Sequence, residues 1–318
     1  MGGGPARATL VLGSGKAGHE ANALGVAEAL GRPCRFERPE ASRIYDSLAP
    51  YGPADPAELR RLDAIEADLL IVSGRSTVPL ARALKRRRGE RLFAVCLQDP
   101  RAGRGAFDLI WTPEHDKLRG ANVMTTLTSP HPISPERLAA ERAAPDPRLA
   151  GLPAPRCGIV LGGPSGHVAY SADDHARLGA AVAAILAQGF SVMATPSRRT
   201  TPAMREAVRA ACQGHAAFVW DGRGANPYAA ILGLSDALLV TADSANMVGE
   251  AAATGAPVHL FHAEGRRAGK LDAMIAGIKA TGAARDFSGA LERFAYSPID
   301  ATGAIAREID KRMAARGL

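Results

Sequence analysis

The residues able to do chemistry in this chain fall in short groups, most of them directly after an apolar run. His19 ends the segment Gly13-Ser-Gly-Lys-Ala-Gly-His19. An imidazole there titrates near neutral pH and suits a general base acting on a hydroxyl. The equal alternative is a helix-start histidine with a satisfied hydrogen bond. Glu114-His115-Asp116 gathers three ionisable groups, fit to orient an acceptor or tune His19, or else to start a surface helix. Gly162-Gly163-Pro-Ser165-Gly166 offers a hydroxyl and backbone N–H donors to a diphosphate, or makes a tight strand-to-helix turn. Arg198 and Arg199 are the phosphate-clamp candidates, because a guanidinium matches phosphate oxygens in bidentate fashion. Asn226-Pro-Tyr228 reads as a base-recognition loop or as a capped helix start with Pro in the first turn.

The densest group is the stretch from Ala237 to Phe261. A strand-type run leads through Thr241, Asp243 and Ser244, which are turn and N-cap types, into a small-residue helix over 245–254. Gly255 and Pro257 stop that helix, and a second apolar run follows. The open N–H groups of Ser244, Ala245 and Asn246 and the positive end of the helix dipole suit a phosphate. Glu250 lies one and a half turns further in, within reach of ribose hydroxyls. The plainer reading keeps Asp243 and Ser244 as caps and Glu250 as a solvated side chain.

Composition narrows the classes. The chain has 318 residues, 47% hydrophobic and 22% charged, which is globular and long enough for two domains. A net charge of +7 favours an anionic partner. The run Lys85-Arg-Arg-Arg88 lacks interleaved aromatics, which argues against nucleic acid. Four dispersed cysteines, three beside apolar runs, fit a reducing compartment, and the eight histidines show no metal-ligand spacing. No secretory h-region and no membrane-length apolar stretch is read, so the expectation is a cytoplasmic protein with no metal and no cofactor.

The elements that must position these groups alternate. Strand candidates at 9–12, 69–73, 92–98, 109–111 and 123–125 are interleaved with helices at 21–30 and 77–87, the βαβ rhythm of a parallel sheet. A Pro-dense segment over 129–155 reads as a linker with a short helix at 135–142. The rhythm then restarts, with strands at 158–161, 191–194 and 217–220 and helices at 173–188 and 270–280. The helix at 302–314 ends the chain. The expected class is α/β with two Rossmann-like domains: 1–150, 151–298, and a terminal helix in 299–318. Gly13, Gly15 and Gly18 also meet the dinucleotide fingerprint, with Glu37 as its acidic residue, which keeps a nicotinamide dehydrogenase open.

Taken together, Gly18-His19-Glu20, Pro113-Glu-His-Asp116, Leu161-Gly-Gly-Pro164, Ser197-Arg-Arg-Thr200, Asn226-Pro-Tyr228 and Asp243-Ser244…Met247…Glu250…Gly255 resemble one family over nearly the whole chain. It is the plant mitochondrial-fission factor family of the elongated-mitochondria type with its bacterial relatives, itself similar to GT-B glycosyltransferases. The resemblance implies two domains facing a cleft, with a nucleoside diphosphate sugar held by the second and an acceptor by the first. It also implies that the terminal helix packs back on the first domain. In that reading His19 is the catalytic base. Gly15, Gly18, Glu114 and His115 serve the acceptor side. Gly163, Ser165, Arg198, Arg199, Asn226, Tyr228, Asp243, Ser244, Ala245, Asn246, Met247 and Glu250 bind the donor. The chain departs from the family at Asn246, often a serine, and at Asn22-Ala23, often Asn-Gln. The implied activity is metal-independent glycosyl transfer from a nucleoside diphosphate sugar to an acceptor hydroxyl. The acceptor stays open, a lipid-linked or cell-envelope glycan among the choices, as does peripheral contact at the inner membrane face. A catalytically silent GT-B-like adaptor and a non-hydrolysing nucleotide-sugar epimerase remain the alternatives.

Overall fold

The computed structural model describes residues 8–266 and 269–318. The chain divides into two compact units, one running to Pro132 and including Asp300–Leu318, the other Ile133–Ile299. In the first unit the order is β1 (Thr9–Leu12), α1 (Ala17–Ala29), β2 (Cys34–Glu37), α2 (Arg43–Leu48), α3 (Pro56–Asp63), β3 (Leu69–Val72), α4 (Val78–Arg88), β4 (Phe93–Cys96), β5 (Leu109–Pro113) and β6 (Val123–Thr126). All pairings are parallel, in the order β2-β1-β3-β4-β5-β6. The continuous apolar runs are buried on both faces, as parallel strands flanked by helices must be. Leu10, Leu12, Leu70 and Val72 face α3 and α4. Val11, Leu69 and Ile71 face the other way, against Ala23, Val26 and Ala27 of α1. The terminal helix, Ala301–Ala314, adds Ile305, Ile309 and Met313 to that second layer.

The second unit contains α5 (Pro135–Ala143), α6 (Pro147–Ala150), β7 (Arg156–Leu161), β8 (Val168–Ala169), α7 (Ala172–Ala187), β9 (Ser191–Pro196), α8 (Pro202–Ala211), β10 (Ala217–Val219), α9 (Tyr228–Leu234), β11 (Ala237–Thr241), α10 (Ala245–Ala252), β12 (Val258–Phe261), β13 (Gly265–Arg266), α11 (Lys270–Ala280) and β14 (Ala284–Asp286). The chain ends in α12 (Ala301–Ala314), part of the first unit. The second sheet runs β10-β9-β7-β11-β12-β14, all parallel, while β8 and β13 make a separate antiparallel ribbon. Numbered within the unit, the order is 3-2-1-4-5-6, that of dinucleotide-binding folds. The period-2 face of β7, Cys157, Ile159 and Leu161, packs with Leu178, Val182 and Ile185 of α7 and with Met204 and Val208 of α8.

This topology fixes where ligands can bind. In an open parallel sheet the crevice lies beyond the carboxyl ends of the strands where the strand order reverses. The reversal is between β1 and β3 in the first unit and between β7 and β11 in the second. The loops that follow these four strands carry Gly13–His19, Gly74, Gly162–Gly166 and Asp243–Ser244. Among the described residues no helix is long and apolar enough to cross a membrane.

Candidate functional site

In the second unit the loops after β10, β9, β7 and β11 lie side by side, because those strands are neighbours in that order. Hydrogen bonds link them in series. The Thr195 hydroxyl donates to the Asn226 side-chain oxygen at 2.9 Å. The Ser197 hydroxyl donates to the Gly162 carbonyl at 3.1 Å. The Gly162 N–H donates to the Thr241 hydroxyl at 2.7 Å, and the Gly163 N–H to the Asp243 carboxylate at 2.9 Å. Two glycines are required at this point by close approach. A Cβ on Gly162 would lie 2.1 Å from an Asp243 oxygen, and one on Gly163 would lie 2.1 Å from the Arg199 carbonyl oxygen.

Asp243 is the centre of this network. Its side chain is fully buried and takes Gly163 N–H, the Tyr170 hydroxyl at 2.9 Å and the Arg199 guanidinium at 2.9 Å. Arg199 also donates to the Gly163 carbonyl at 2.8 Å and the Pro164 carbonyl at 3.3 Å. Burial, with Asp243 second, pushes the Tyr170 phenol well above its ordinary range, so it stays a neutral donor. The capping role expected for Asp243 and Ser244 is not what forms. Ser244 occupies the N-cap position of α10 without a side-chain cap, and Asp243 turns to the glycine loop instead. Among the described residues, the first N–H groups of α10, on Ala245, Asn246 and Met247, are therefore left without a capping oxygen.

Arg198 and Arg199, adjacent in sequence, part company. Arg199 is committed to Asp243 and the loop carbonyls, whereas Arg198 is exposed and has no protein partner among the described residues. Ser165 is exposed, its hydroxyl 3.3 Å from the His167 N–H. Pro227, not Asn226, takes the N-cap position of α9, and Tyr228 is its first helical residue. The Tyr228 hydroxyl donates to one Glu250 oxygen, joining α9 to α10. Burial raises the Glu250 carboxyl to about 7, opposed by the Tyr228 hydrogen bond and by Arg137. Glu250 sits about 7.5 Å along the helix axis from Ala245 at 1.5 Å per residue.

In the first unit the loop after β1 folds over the end of β3. The Ser14 hydroxyl lies 3.2 Å from His19 Nδ1. When Nδ1–H donates to Ser14, Nε2 keeps a free lone pair and can act as a base. Gly74, at φ 104°, is pressed against the pair, since a Cβ there would lie 2.5 Å from Ser14 Oγ and 3.1 Å from His19 Nδ1. Burial, then Lys16, lowers the His19 pKa below 6.5, so the ring is neutral at neutral pH. Glu20 is buried, accepts the Gly15 N–H at 2.9 Å and is held bidentately by Arg38 at 2.8 and 2.7 Å. Arg38, foremost among the causes, holds that carboxyl below its usual range. Gly18 is exposed in the first turn of α1. Glu114 and His115 follow β5, three strand positions from β1, about 14 Å along the same edge at 4.8 Å per strand. They do not join the His19 group.

Sequence reasoning missed four residues that build these loops. Arg38 and Gly74 lie just past strand ends, and that position was their signal. Arg205 donates to the Ser197 and Thr200 carbonyls, bracing the Arg198 turn from α8. Tyr170, far from Asp243 in sequence, carried no local signal.

The family model described as Mitochondrial fission ELM1 matches residues 17–313. The chain belongs to that family. A curated member, the mitochondrial fission protein ELM1 of Arabidopsis thaliana, is 28% identical over 276 residues, covering 78% of this chain and 64% of that protein. The chain thus spans less than two thirds of that relative's length. Among solved structures it is similar to the UDP-GlcNAc 2-epimerase of Methanocaldococcus jannaschii, with a TM-score of 0.55 at 10% identity over 96% of this chain and 99% of that one. It is also similar to MurG of Acinetobacter baumannii, with a TM-score of 0.51 at 14% identity over 98% and 93%. These likenesses establish the fold: two Rossmann-like units of the GT-B type, as the family resemblance implied.

Proposed function

We propose that this family member is a glycosyltransferase that moves a sugar from a nucleoside diphosphate sugar to an acceptor hydroxyl. The observation that carries the reading is the unfilled head of α10 at the strand-order reversal of the second sheet, framed by a glycine loop that Asp243 and Arg199 hold in place. The donor diphosphate would lie against the N–H groups of Ala245, Asn246 and Met247, with Ser165 and the unpartnered Arg198 closing over it. Glu250, with one oxygen on Tyr228, would take the ribose hydroxyls with the other. Asn226 would meet the base.

On the acceptor side His19 Nε2 takes the proton of the hydroxyl as its oxygen bonds to the anomeric carbon. The bond from that carbon to the diphosphate oxygen breaks, and the nucleoside diphosphate leaves with the electron pair. Arg198 and the α10 dipole stabilise the charge that builds there, a task a divalent cation performs elsewhere. Asp243, Arg199 and Tyr170 act by positioning the loop. Calorimetry with a panel of nucleoside diphosphates tests the donor site. Saturable binding that weakens about tenfold in Arg198→Ala, the cost of one charge-assisted contact, supports it. No binding to the wild type, or binding unchanged in Arg198→Ala and Glu250→Ala, refutes it. Incubation with donor alone separates transfer from epimerisation, since only an epimerase converts the donor without an acceptor.

A further inference from the structure

We propose that His259 is an acid-released latch for the segment that carries the chain from the second sheet to the terminal helix. From Phe287 to Ile299 the chain forms neither helix nor strand, an irregular stretch of unusual length for a compact domain. It is pinned to the second unit bond by bond. The Phe287 N–H donates to the Leu260 carbonyl at 2.9 Å and the Ile299 N–H to the Ala252 carbonyl at 3.1 Å. Between them the Leu291 N–H donates to Gln188 Oε1 at 2.9 Å and the Tyr296 hydroxyl to the Ala256 carbonyl at 3.0 Å. Those four acceptors are uncharged amide oxygens, which take a bond at any pH near neutrality. The Glu292 N–H is different, because it donates to His259 Nε2 at 2.9 Å. A backbone N–H can only donate, so the geometry itself fixes Nε2 as the nitrogen without a proton. Protonation of that atom turns acceptor into donor and ends the bond.

The surroundings make the proton costly while the segment is in place. His259 is 0% exposed and packs edge-on to Phe287 and tilted against Phe294, at centroid distances of 6.5 and 5.6 Å. Arg285 is its neighbour across to β14, with its guanidinium 4.3 Å from the centre of the Phe294 ring. The same arginine is paired with the Glu292 carboxylate. A protonated imidazole would therefore put a second cation against Phe294, while the nearest carboxylate is already matched. Leu239, opposite on β11, brings no charge. Asp236 and Arg293 lie further out, on a cavity of about 250 Å³ that the segment shares with Phe190 and Pro257. That cavity gives water a route toward the ring once Leu291 and Glu292 lift.

Burial, foremost, holds the ring below its ordinary 6.5, with Glu292 and Arg285 acting in opposite directions. A released segment leaves the ring hydrated, where it regains its ordinary value. The latched state is thus favoured in full above pH 6.5, and release gains as pH falls below it, approaching about tenfold per pH unit until the latched ring itself titrates. Release frees the last part of the second unit before α12. The cavity lies at the amino ends of β7, β11 and β12, the edge opposite the head of α10, so the latch does not depend on the donor reading.

The test is hydrogen exchange of the full chain between pH 5 and pH 8, read by mass spectrometry and corrected for the intrinsic pH dependence of amide exchange. Protection over 287–296 should be constant above pH 7 and fall below 6.5 by up to about tenfold per pH unit, while β11 stays protected. His259→Gln keeps a side-chain acceptor that does not titrate, and should remove the decline. Because that substitution reshapes a buried site, Glu292→Gln serves beside it. Its side chain is exposed, so folding is not at stake, and the backbone N–H remains, so the decline should persist. Protection that stays flat in the wild type, or a decline retained in folded His259→Gln, overturns the latch. A decline abolished in Glu292→Gln overturns it too, since the Arg285 ion pair and not the ring would then be what titrates.

Discussion

Glu250 connects stability, pH and ligand binding in one side chain, and Glu250→Gln separates them. The folded protein holds this carboxyl at about 7 against an ordinary 4.5, chiefly because burial disfavours its charge. A folded pKa above the unfolded one means that the folded state binds the proton more tightly. The stability this contributes is complete below pH 4.5 and is lost as pH rises through 7. The difference between the two pKa values corresponds to about 3 kcal/mol, and to about 2 once the part of the side chain that still meets water is allowed for. Glutamine keeps an oxygen for the Tyr228 hydroxyl and carries no charge to desolvate.

Urea unfolding at pH 5 and pH 8 should therefore show wild type and Glu250→Gln close together at pH 5 and the variant about 2 kcal/mol more stable at pH 8. Nucleotide binding should move the opposite way. Ribose hydroxyls donate to the ionised carboxylate, so wild-type affinity should fall about tenfold between pH 8 and pH 6, where one proton per site must be removed to bind. The variant should bind weakly at both. A wild-type stability that does not decline between pH 5 and 8 relative to Glu250→Gln would refute the burial argument, and a pH-independent affinity would refute the ribose contact.

Three further outcomes follow from the geometry. Gly163→Ala drives a methyl into the Arg199 carbonyl, so it should cost about 3 kcal/mol, the upper end of overpacking, and remove nucleotide binding, read by thermal unfolding and calorimetry. Asp243→Ala leaves the Gly163 N–H, the Tyr170 hydroxyl and Arg199 without their acceptor, and should lose about 3 kcal/mol in urea. If His19 is the base, transfer should rise with pH through a midpoint below 6.5, and Lys16→Ala should move that midpoint up, because Lys16 is one cause of the depression. A midpoint unmoved in that variant would detach the profile from His19.

The sheets were the most legible part of the sequence, since parallel strands buried on both faces write themselves as unbroken apolar runs such as Leu69–Val72 and Ala237–Thr241. Some segments without that signature were not read. The short edge strand β14 is Ala-Arg-Asp, with two of its three residues exposed, and α2 has no buried residue to set a helical period. At the candidate site, the sequence marks loops that follow strands but is blind to their wiring. Nothing in Arg198-Arg199 says which arginine turns inward, because that choice is made by a carboxylate 44 residues later. Nothing in Asp243-Ser244 says that the aspartate forgoes the helix head, because the competing donor, Gly163 N–H, arrives from β7.

The two units solve one physical problem in the same way with unrelated residues. Each glycine loop at a strand-order reversal needs its backbone fixed without a ligand, yet must not fill its own helix head. In the first unit a buried carboxylate, Glu20, takes one glycine N–H and an arginine from the loop after the neighbouring strand, Arg38 after β2. In the second, Asp243 takes one glycine N–H and an arginine from the loop after the neighbouring strand, Arg199 after β9. Each acid is neutralised by its arginine, so it adds no net repulsion toward an incoming anion. Each uses a glycine N–H outside the helix and leaves the first-turn donors of α1 and α10 uncapped. Preorganised donors of this kind need no rearrangement when negative charge arrives, which is where electrostatic stabilisation is most effective. Exchanging the acid for its amide, Glu20→Gln or Asp243→Asn, keeps an acceptor for the glycine and exposes the arginine's charge. Anions should then bind at the altered unit as tightly as before or more so, while the loop itself melts earlier. Weaker anion binding in both amide variants would mean that the carboxylates contact the ligand's own donors, and the division of labour argued here would be wrong.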